Sequence, residues 1–264
     1  MKTAKDIRGS LFAPFSGSRV LACESTRVGG HSTGPYASMN LGIHTADVPG
    51  HVEANLREYC RGLGISADQL AISRQVHGTE ILEVTSPGRF DGFDAMITDR
   101  PDIYLGIGTA DCCPVLILDP VRQAVGAVHA GWRGAAGSIL PQTIARMSAV
   151  YGSEPADLLV YLGTCIGPSR YEIGPEVAEQ FPPVFLQPAP TDEKAYLDLK
   201  GCLMAQALAS GIKASNMSAS GYCTFDHADL FFSYRRDGMA SGRMISLIGW
   251  QSAFTGKTEQ DSLS

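Results

Sequence analysis

The segment from Thr109 to Gly134 holds two apolar stretches separated by a turn sequence, and it constrains the fold more than any other part of the chain. Residues 115–118 and 124–129 are rich in Val, Ile, Leu and Ala, which predicts two buried strands. Between them stands Asp119-Pro120-Val121-Arg122, with proline at the second position, as type I turns favour. The segment therefore predicts an antiparallel β-hairpin.

This hairpin would bring a thiol and an imidazole together. With the turn centred between Pro120 and Val121, Cys112 lies opposite His129, with their Cβ atoms roughly 4.5–5.5 Å apart. Pro114 cannot donate to the ladder, so we expect regular pairing to end near it and to leave Cys112 outside the strand. A slip of one residue would send the two side chains to opposite faces. In the predicted register the pair can share a metal ion or act as nucleophile and base.

The rest of the chain alternates strands and helices. Apolar runs of strand length occupy residues 80–84, 104–108, 158–162 and 244–250, and helical patterns occupy residues 51–64, 138–151, 176–181 and 196–211. Ser138 is the expected N-cap of the second helix, and Gly152 its stop. Because strands and helices are mixed, we predict a single α/β (α+β) domain with a mixed β-sheet and flanking helices.

Charge and cysteine usage narrow the function classes. The chain has 21 Lys+Arg and 27 Asp+Glu, a net charge of −6, which argues against binding to nucleic acid or to an anionic membrane. No apolar run approaches the roughly 20 residues that span a bilayer, and residues 1–20 lack the pattern of a signal peptide. The seven cysteines are an odd number without a CxxC pair, which indicates reduced thiols. We expect a cytoplasmic protein that acts on small molecules, and the sequence makes no prediction of its oligomeric state.

A third candidate ligand is His77, which precedes a glycine near a predicted strand edge. With Cys112 and His129 it makes a Cys-His₂ set, and three protein ligands with an open fourth position are typical of catalytic zinc. The three residues are widely spaced along the chain, and the spacing alone does not show that they meet. The alternative is that they do not form a site and are ordinary core or surface residues. Asp111 is predicted either to accept from an imidazole and orient it or to cap a turn or strand end, whereas Asp94 is interpreted as a strand-end residue.

Two groups of residues indicate an anionic, planar ligand. Arg133 follows a glycine at the predicted entrance to a helix, where backbone N–H groups and a guanidinium can hold phosphate. Phe231–Tyr234 precedes Arg235 and Arg236, so rings can stack on a ligand while a guanidinium binds its charge. The alternative interpretation of the second group is a strand with a buried face and a solvated arginine edge.

Six stretches of the sequence resemble motifs of the YfiH/laccase-domain family. They are residues 38–55 (SMNLGIHTADVPGHVEAN), 75–80 (QVHGTE), 109–117 (TADCCPVLI), 127–134 (AVHAGWRG), 163–177 (GTCIGPSRYEIGPEV) and 231–243 (FFSYRRDGMASGR). They follow the family's order, and the resemblance runs from about residue 20 to 250.

The resemblance implies a domain similar to the catalytic fold of cytotoxic necrotizing factor, bounded here as residues 20–252 between an N-terminal segment (1–19) and a flexible tail (253–264). It implies a zinc-dependent purine nucleoside phosphorylase that cleaves adenosine, inosine and methylthioadenosine and also deaminates adenosine. The implied metal ligands and catalytic residues are His77, Cys112 and His129, and zinc is the expected cofactor, with copper possible. Arg133, Asn40 and Arg235 are the predicted substrate-binding residues, for nucleoside and phosphate.

The chain departs from the family pattern at two places. Leu56 stands where the family usually has arginine, and Arg57 follows one position later. Ser169 and Arg170 replace a Cys-Cys pair, which excludes thiol chemistry there.

The sequence is compatible with three other functions. A metal-free hydrolase or amidase would use Cys112 as nucleophile and His129 as base, and the family resemblance implies a role for such an enzyme in the editing of peptidoglycan precursors. A copper-dependent polyphenol oxidase is less well supported, because the six histidines include no HxH pair. A structural zinc clip in a binding module is the non-enzymatic alternative.

Overall fold

The computed structural model describes residues 10–13, 15, 19–189 and 193–252. The strands are β1 (Ser10–Phe12), β2 (Val20–Ser25), β3 (Leu70–Arg74), β4 (Ile81–Glu83), β5 (Gly88–Asp91), β6 (Ala95–Thr98), β7 (Tyr104–Thr109), β8 (Cys113–Asp119), β9 (Ala124–Ala130), β10 (Leu159–Leu162), β11 (Glu172–Ile173), β12 (Leu186–Pro188), β13 (Ala195–Leu197), β14 (Met217–Ala219) and β15 (Met244–Trp250). The α-helices are α1 (Pro49–Gly62), α2 (Trp132–Ala136), α3 (Ile139–Tyr151), α4 (Pro175–Ala178), α5 (Leu199–Ala209) and α6 (Tyr234–Asp237).

Two mixed six-stranded sheets form the body of the fold. The first sheet has the order β1-β2-β15-β7-β3-β5, and the second has the order β14-β10-β8-β9-β6-β4. Each contains parallel pairs, such as β3 with β7 and β4 with β6, beside antiparallel ones. A small third sheet pairs β11, β13 and β12. The predicted mixed α/β architecture is confirmed, with two large sheets instead of one.

The two large sheets pack face to face between helices. Leu105 and Ile107 of β7 share a buried cluster with Leu116 of β8 and Val125 and Ala127 of β9, so this cluster lies between the sheets. Successive residues of a strand point to opposite faces. The other face of the first sheet therefore packs against α1, and the other face of the second sheet packs against α3 and α5.

Most predicted elements are present, with changes at their ends. The strand predicted over 244–250 matches β15, and α3 begins directly after Ser138 and ends before Gly152 as predicted. Ser138 does not cap α3 with its side chain, because its backbone is left-handed at a φ of 59°. The helix predicted from residue 196 begins only at Leu199, where the Asp198 carboxylate accepts from the backbone N–H of Gly201.

The first large sheet begins ahead of the predicted domain boundary at residue 20, because β1 pairs with β2 from Ser10 onward. The predicted tail at 253–264 and most of the N-terminal segment lie outside the described residues. Among the described residues, no helix combines the length and apolar character needed to cross a bilayer.

Candidate metal centre

The β8–β9 hairpin places Cys112 and His129 on one face, in a register that differs from the predicted one. Pro114 lies opposite His129, so the prediction that Cys112 is directly opposite is wrong. The turn is wider than expected, because the Asp119 carboxylate accepts from the backbone N–H groups of Val121 and Arg122, and β9 starts only at Ala124. The ladder is thereby shifted by two residues. Since side chains alternate with a period of two, this shift preserves the shared face.

Three side chains converge at the end of this hairpin. The ligand atoms of His77, Cys112 and His129 all lie within 4.8 Å of one another. His77 belongs to the loop after β3 and is exposed, Cys112 precedes β8 and is half-buried, and His129 is a buried residue of β9. The two imidazole rings are 4.8 Å apart and nearly perpendicular. The structure therefore brings together the trio that the sequence singled out, whereas the adjacent Cys113 is fully buried in the core.

The backbone at Gly131 allows this convergence. A Cβ atom at this position would lie 2.8 Å from Cys112 Sγ and 3.3 Å from a carbon of the His77 ring. Both distances are shorter than ordinary van der Waals contact. Only glycine leaves room for the two side chains beside the chain that leads into α2.

Asp94 holds the imidazole of His129. Its Oδ1 lies 2.8 Å from His129 Nδ1, and both side chains are buried. The prediction that Asp111 orients an imidazole is therefore wrong. The interpretation of Asp94 as a strand-end residue was incomplete: it precedes β6, and the pairing of β6 with β9 carries it beside His129.

Asp94 and Gln75 also hold the His77 loop. The Asp94 carboxylate accepts from the backbone N–H groups of Val76, His77 and Gly78 at 3.1, 2.9 and 2.7 Å. The Gln75 side-chain amide donates to the carbonyl of Gly108 in β7 and accepts from its N–H, both at 2.8 Å. The loop is thus anchored to both large sheets, and sequence reasoning did not find either anchor.

The charges at this centre stabilise one another. Burial raises the pKa of the Cys112 thiol, but the charge of His129 and hydrogen bonds from His129 and His77 outweigh burial and lower this pKa from 9.0 to about 6. Burial likewise lowers the pKa of His129, but Cys112 and Asp94 outweigh it and raise this pKa from 6.5 to about 9. Without a metal, the favoured state at neutral pH is therefore a thiolate beside an imidazolium.

The trio opens onto a cavity of about 580 Å³. One part of its wall is apolar, with Leu41, Ile72 and Ile245. Another part carries aromatic rings and guanidinium groups, contributed by Trp132, Arg133, Tyr171, Tyr234, Arg235 and Arg243. A cavity of this size holds a ligand of several rings.

Two of the three predicted substrate residues line the cavity. Arg133 lies over the Trp132 ring at 4.3 Å. Arg235 lies over the Tyr171 ring at 5.2 Å, and its guanidinium donates to the carbonyl of Glu172. The third predicted residue, Asn40, is not among the residues that line the cavity.

Asn40 is fully buried and supports the loop that follows it. Its amide nitrogen donates to Thr45 and Asp47, and its oxygen accepts from the backbone N–H groups of Gly42 and Arg243. These four bonds use the hydrogen-bonding capacity of the amide. The prediction that Asn40 binds substrate is therefore not supported by its contacts.

The aromatic residues predicted to face a ligand divide between core and cavity. Phe231 and Phe232 are fully buried and pack in a core cluster. Tyr234 begins α6 and lines the cavity, as does Tyr171, which sequence reasoning missed. Arg236 is not at the cavity either, because its guanidinium is bound to the carbonyls of Thr224, Phe225 and Phe231. Arg243 takes its place at the wall.

Asp111 organises this arginine-rich side of the cavity. Its carboxylate accepts from the Thr224 hydroxyl at 2.5 Å and from the backbone N–H of Arg235 at 2.6 Å. It thereby fixes the start of α6 beside Cys112. Arg57, whose role the departure at Leu56 left open, is exposed and lines a separate cavity of about 300 Å³.

Comparison with known proteins identifies the family. Residues 21–251 match the family described as "Multi-copper polyphenol oxidoreductase laccase". A relative from Deinococcus radiodurans named "Purine nucleoside phosphorylase" is 39% identical over 227 residues, covering 85% of this chain and 87% of the relative. "Purine nucleoside phosphorylase YfiH" from Escherichia coli is 36% identical and covers 87% of this chain and 93% of the relative.

Solved structures agree with this assignment. The crystal structure of YlmD from Geobacillus stearothermophilus superposes with a TM-score of 0.88 at 32% identity, covering 93% of this chain and 97% of that one. This chain has the fold of that class of protein, a mixed α/β domain, and it carries a Cys-His₂ cluster at a cavity. It belongs to the YfiH/laccase-domain family.

Proposed function

We propose that this protein is a zinc-dependent purine nucleoside phosphorylase that also deaminates adenosine. The observation that carries the proposal is the convergence of His77, Cys112 and His129 at the wall of a cavity that also presents Arg133 and Arg235. The naming of relatives at 39% and 36% identity as purine nucleoside phosphorylases supports the same activity.

The donor set fits zinc. One thiolate and two imidazoles are ligands that zinc prefers, and a three-residue set leaves a position open for substrate or solvent. Metal-free Cys112 and His129 hold one proton between them as thiolate and imidazolium, and zinc binding would release that proton from His129, because an imidazole binds a metal only in its neutral form. Zinc held by these residues would supply a Lewis acid, and activation of water by such an ion is the chemistry that deamination of adenosine requires. The described residues hold no second cluster of this kind, which disfavours a multicopper oxidase.

The arginines supply the phosphate site. In phosphorolysis a phosphate oxygen forms a bond to C1′ of the ribose, the bond from C1′ to the base breaks, and the base leaves with the electron pair and takes up a proton. Arg133 and Arg235 are exposed at the cavity wall, so their guanidinium groups can hold phosphate in place for this attack. Their stacking on Trp132 and Tyr171 restricts the directions in which they point.

The aromatic residues supply the site for the base. Tyr171 and Tyr234 offer flat apolar surfaces beside Arg235, which suits a purine ring next to a charged group. Burial raises the pKa of Tyr171, so its hydroxyl stays protonated and remains a hydrogen-bond donor. Cationic and N–H groups near the leaving base stabilise the negative charge that develops on it.

The test is a product analysis with matched cysteine variants. Zinc-loaded protein is incubated with inosine, adenosine or methylthioadenosine, with and without phosphate, and free base, ribose phosphate and deaminated nucleoside are quantified. Phosphate-dependent release of base is expected for the wild type and for Cys202→Ala, whose buried thiol lies in α5 away from the cavity. Cys112→Ala is expected to lose at least a hundredfold in turnover. Absence of turnover by zinc-loaded wild type in every combination contradicts the proposal.

One arrangement favours a second function. Cys112, His129 and Asp94 stand in the order of nucleophile, base and orienting carboxylate, as in a cysteine hydrolase. A metal-free hydrolase or amidase, acting on peptidoglycan precursors, would use this triad directly. Protein purified without added metal separates the two functions: stoichiometric zinc at the site disfavours the hydrolase, and an acyl-enzyme on Cys112 in metal-free protein supports it.

A further inference from the structure

One buried carboxylate contacts both histidines of the proposed metal centre. Asp94 Oδ1 accepts from the His77 backbone N–H and lies against His129 Nδ1, while Oδ2 accepts from Val76 and Gly78. The carbonyl of Asp94 also accepts from the backbone N–H of His129 at 2.7 Å. Asp94 is completely buried, and the hydrogen-bond partners of its carboxylate come from these two segments.

These contacts hold His77 in a conformation that the residue does not favour by itself. Its φ is 60°, in the left-handed region, which costs roughly 1–2 kcal/mol for a residue with a Cβ. Three successive N–H groups that point to one anion compensate this cost, in the manner of a backbone nest. The side chain of Asp94 is the anion of the nest, and without it the N–H groups of Val76, His77 and Gly78 lose their acceptor.

The same carboxylate sets the tautomer of His129. An ionised carboxylate only accepts hydrogen bonds, so Nδ1 of His129 must carry a proton in order to bind it. When the ring is neutral, its lone pair is then on Nε2, the nitrogen that remains available to face Cys112 and His77. A metal ion binds through such a lone pair.

We propose that Asp94 is the positioning residue of the metal centre: it couples the two histidines by fixing the backbone of His77 and the tautomer of His129 with a single carboxylate. This inference rests on the metal site of the proposed function. It predicts that zinc affinity depends on Asp94 even though Asp94 is not a ligand.

The test is the affinity for Zn²⁺ alone, measured by competition with a chromogenic chelator. Asp94→Asn keeps the shape of the side chain, but an amide has only one accepting oxygen, and its NH₂ opposes either the nest or His129 Nδ1. We expect a loss of roughly 10–100-fold in affinity, as is usual for a hydrogen-bond partner of a ligand. Glu24→Gln is the matched control, since Glu24 is a buried carboxylate that contacts Tyr161 and Thr164 away from the trio. Its affinity is expected to stay within about threefold of the wild type.

A second measurement uses the wild type and does not depend on how the variant folds. Long-range ¹H–¹⁵N spectra of zinc-loaded protein are expected to show His129 with a protonated Nδ1 and a metal-bound Nε2. Binding of zinc through Nδ1, or wild-type affinity in folded Asp94→Asn, overturns the inference. Wild-type protein that binds zinc without phosphorolysis contradicts the proposed function and leaves this inference standing.

Discussion

Two buried carboxylates join the large sheets at different places, and they have different hydrogen-bond partners. Asp94 precedes β6 of the second sheet and binds the loop that follows β3 of the first. Glu24 lies in β2 of the first sheet and accepts from the Tyr161 hydroxyl in β10 at 2.7 Å and from the Thr164 N–H at 2.6 Å. Both are less than one-twentieth exposed.

Their pKa values shift in opposite directions. Burial raises the pKa of both, but at Asp94 the hydrogen bond and charge of His129, with the N–H groups of Gly78 and Val76, outweigh burial and lower it. At Glu24 burial dominates over Tyr161, Thr164 and the more distant Lys200, so its pKa is raised. The comparison teaches that an adjacent cation and several N–H donors, more than burial, decide the direction in which the pKa of an interior carboxylate shifts.

The largest expected effect concerns the cation of this comparison, His129. In metal-free protein, alkylation of Cys112 by iodoacetamide is expected to reach half its maximal rate near pH 6, because the thiol has a pKa of about 6 instead of 9.0. The rate is followed by mass spectrometry across pH 5–10. His129→Gln removes the charge and should move the midpoint by roughly two to three pH units toward that of a free thiol. A midpoint near 9 in the wild type would show that the imidazole does not act on the thiol.

The next effect concerns the hydrogen bonds of Glu24. Glu24→Ala leaves the Tyr161 hydroxyl and the Thr164 N–H without their acceptor, which costs about 1–3 kcal/mol for each buried group. We expect the free energy of unfolding, from urea denaturation, to fall by about 3 kcal/mol. Glu24→Gln retains an acceptor and should lose less than about 1 kcal/mol. Equal losses in the two variants would show that the bonds matter less than the volume of the side chain.

A smaller effect is expected in the pH dependence of the unfolding free energy, when Glu24→Gln is compared with the wild type. The folded state holds the Glu24 proton to higher pH than the unfolded chain does, because its folded pKa is raised. The stability contributed by this group is therefore present below the unfolded pKa and is lost as pH rises toward the folded one. The unfolding free energy of Glu24→Gln relative to the wild type should increase with pH over this window. A difference that is constant or decreases with pH contradicts a raised pKa.

The smallest effect is expected at an exposed carboxylate. Asp226 pairs with Arg170 at 2.6 Å, and these side chains are 36% and 50% exposed. Asp226→Asn should change the unfolding free energy by less than about 1 kcal/mol, because solvent screens surface pairs. If Asp226→Asn lost as much unfolding free energy as Glu24→Ala, burial would not explain why the two carboxylates differ.

The sequence predicted what depends on neighbours along the chain. The turn residues and apolar runs around Pro120 indicate the hairpin, and the period of two kept Cys112 and His129 on one face although the register was wrong. Asp94 was missed because its role depends on the pairing of β6 with β9, which no local pattern encodes. Gln75 could have been noticed as a candidate anchor, because it precedes His77 by two residues. Its bond to Gly108 could not be predicted, because it joins segments that are distant in the sequence.

The aromatic residues from Phe231 to Tyr234 also show what the local sequence cannot predict. Phe231, Phe232 and Tyr234 are close in sequence and chemically alike, yet the first two are in the core and the third is at the cavity. The start of α6, capped by the Ser233 side chain, separates them by changing the direction of the chain. The structural role of Asn40 could not be predicted for a similar reason, because one of its hydrogen-bond partners, Arg243, is far away along the chain.

The three candidate ligands are attached to different halves of the molecule. His77 follows a strand of the first sheet, His129 lies in the second, and Cys112 is on the segment that crosses from one to the other. An ion bound by all three would cross-link the two sheets, so that metal binding and unfolding become linked equilibria. The melting temperature of such a protein would follow the free zinc concentration around it.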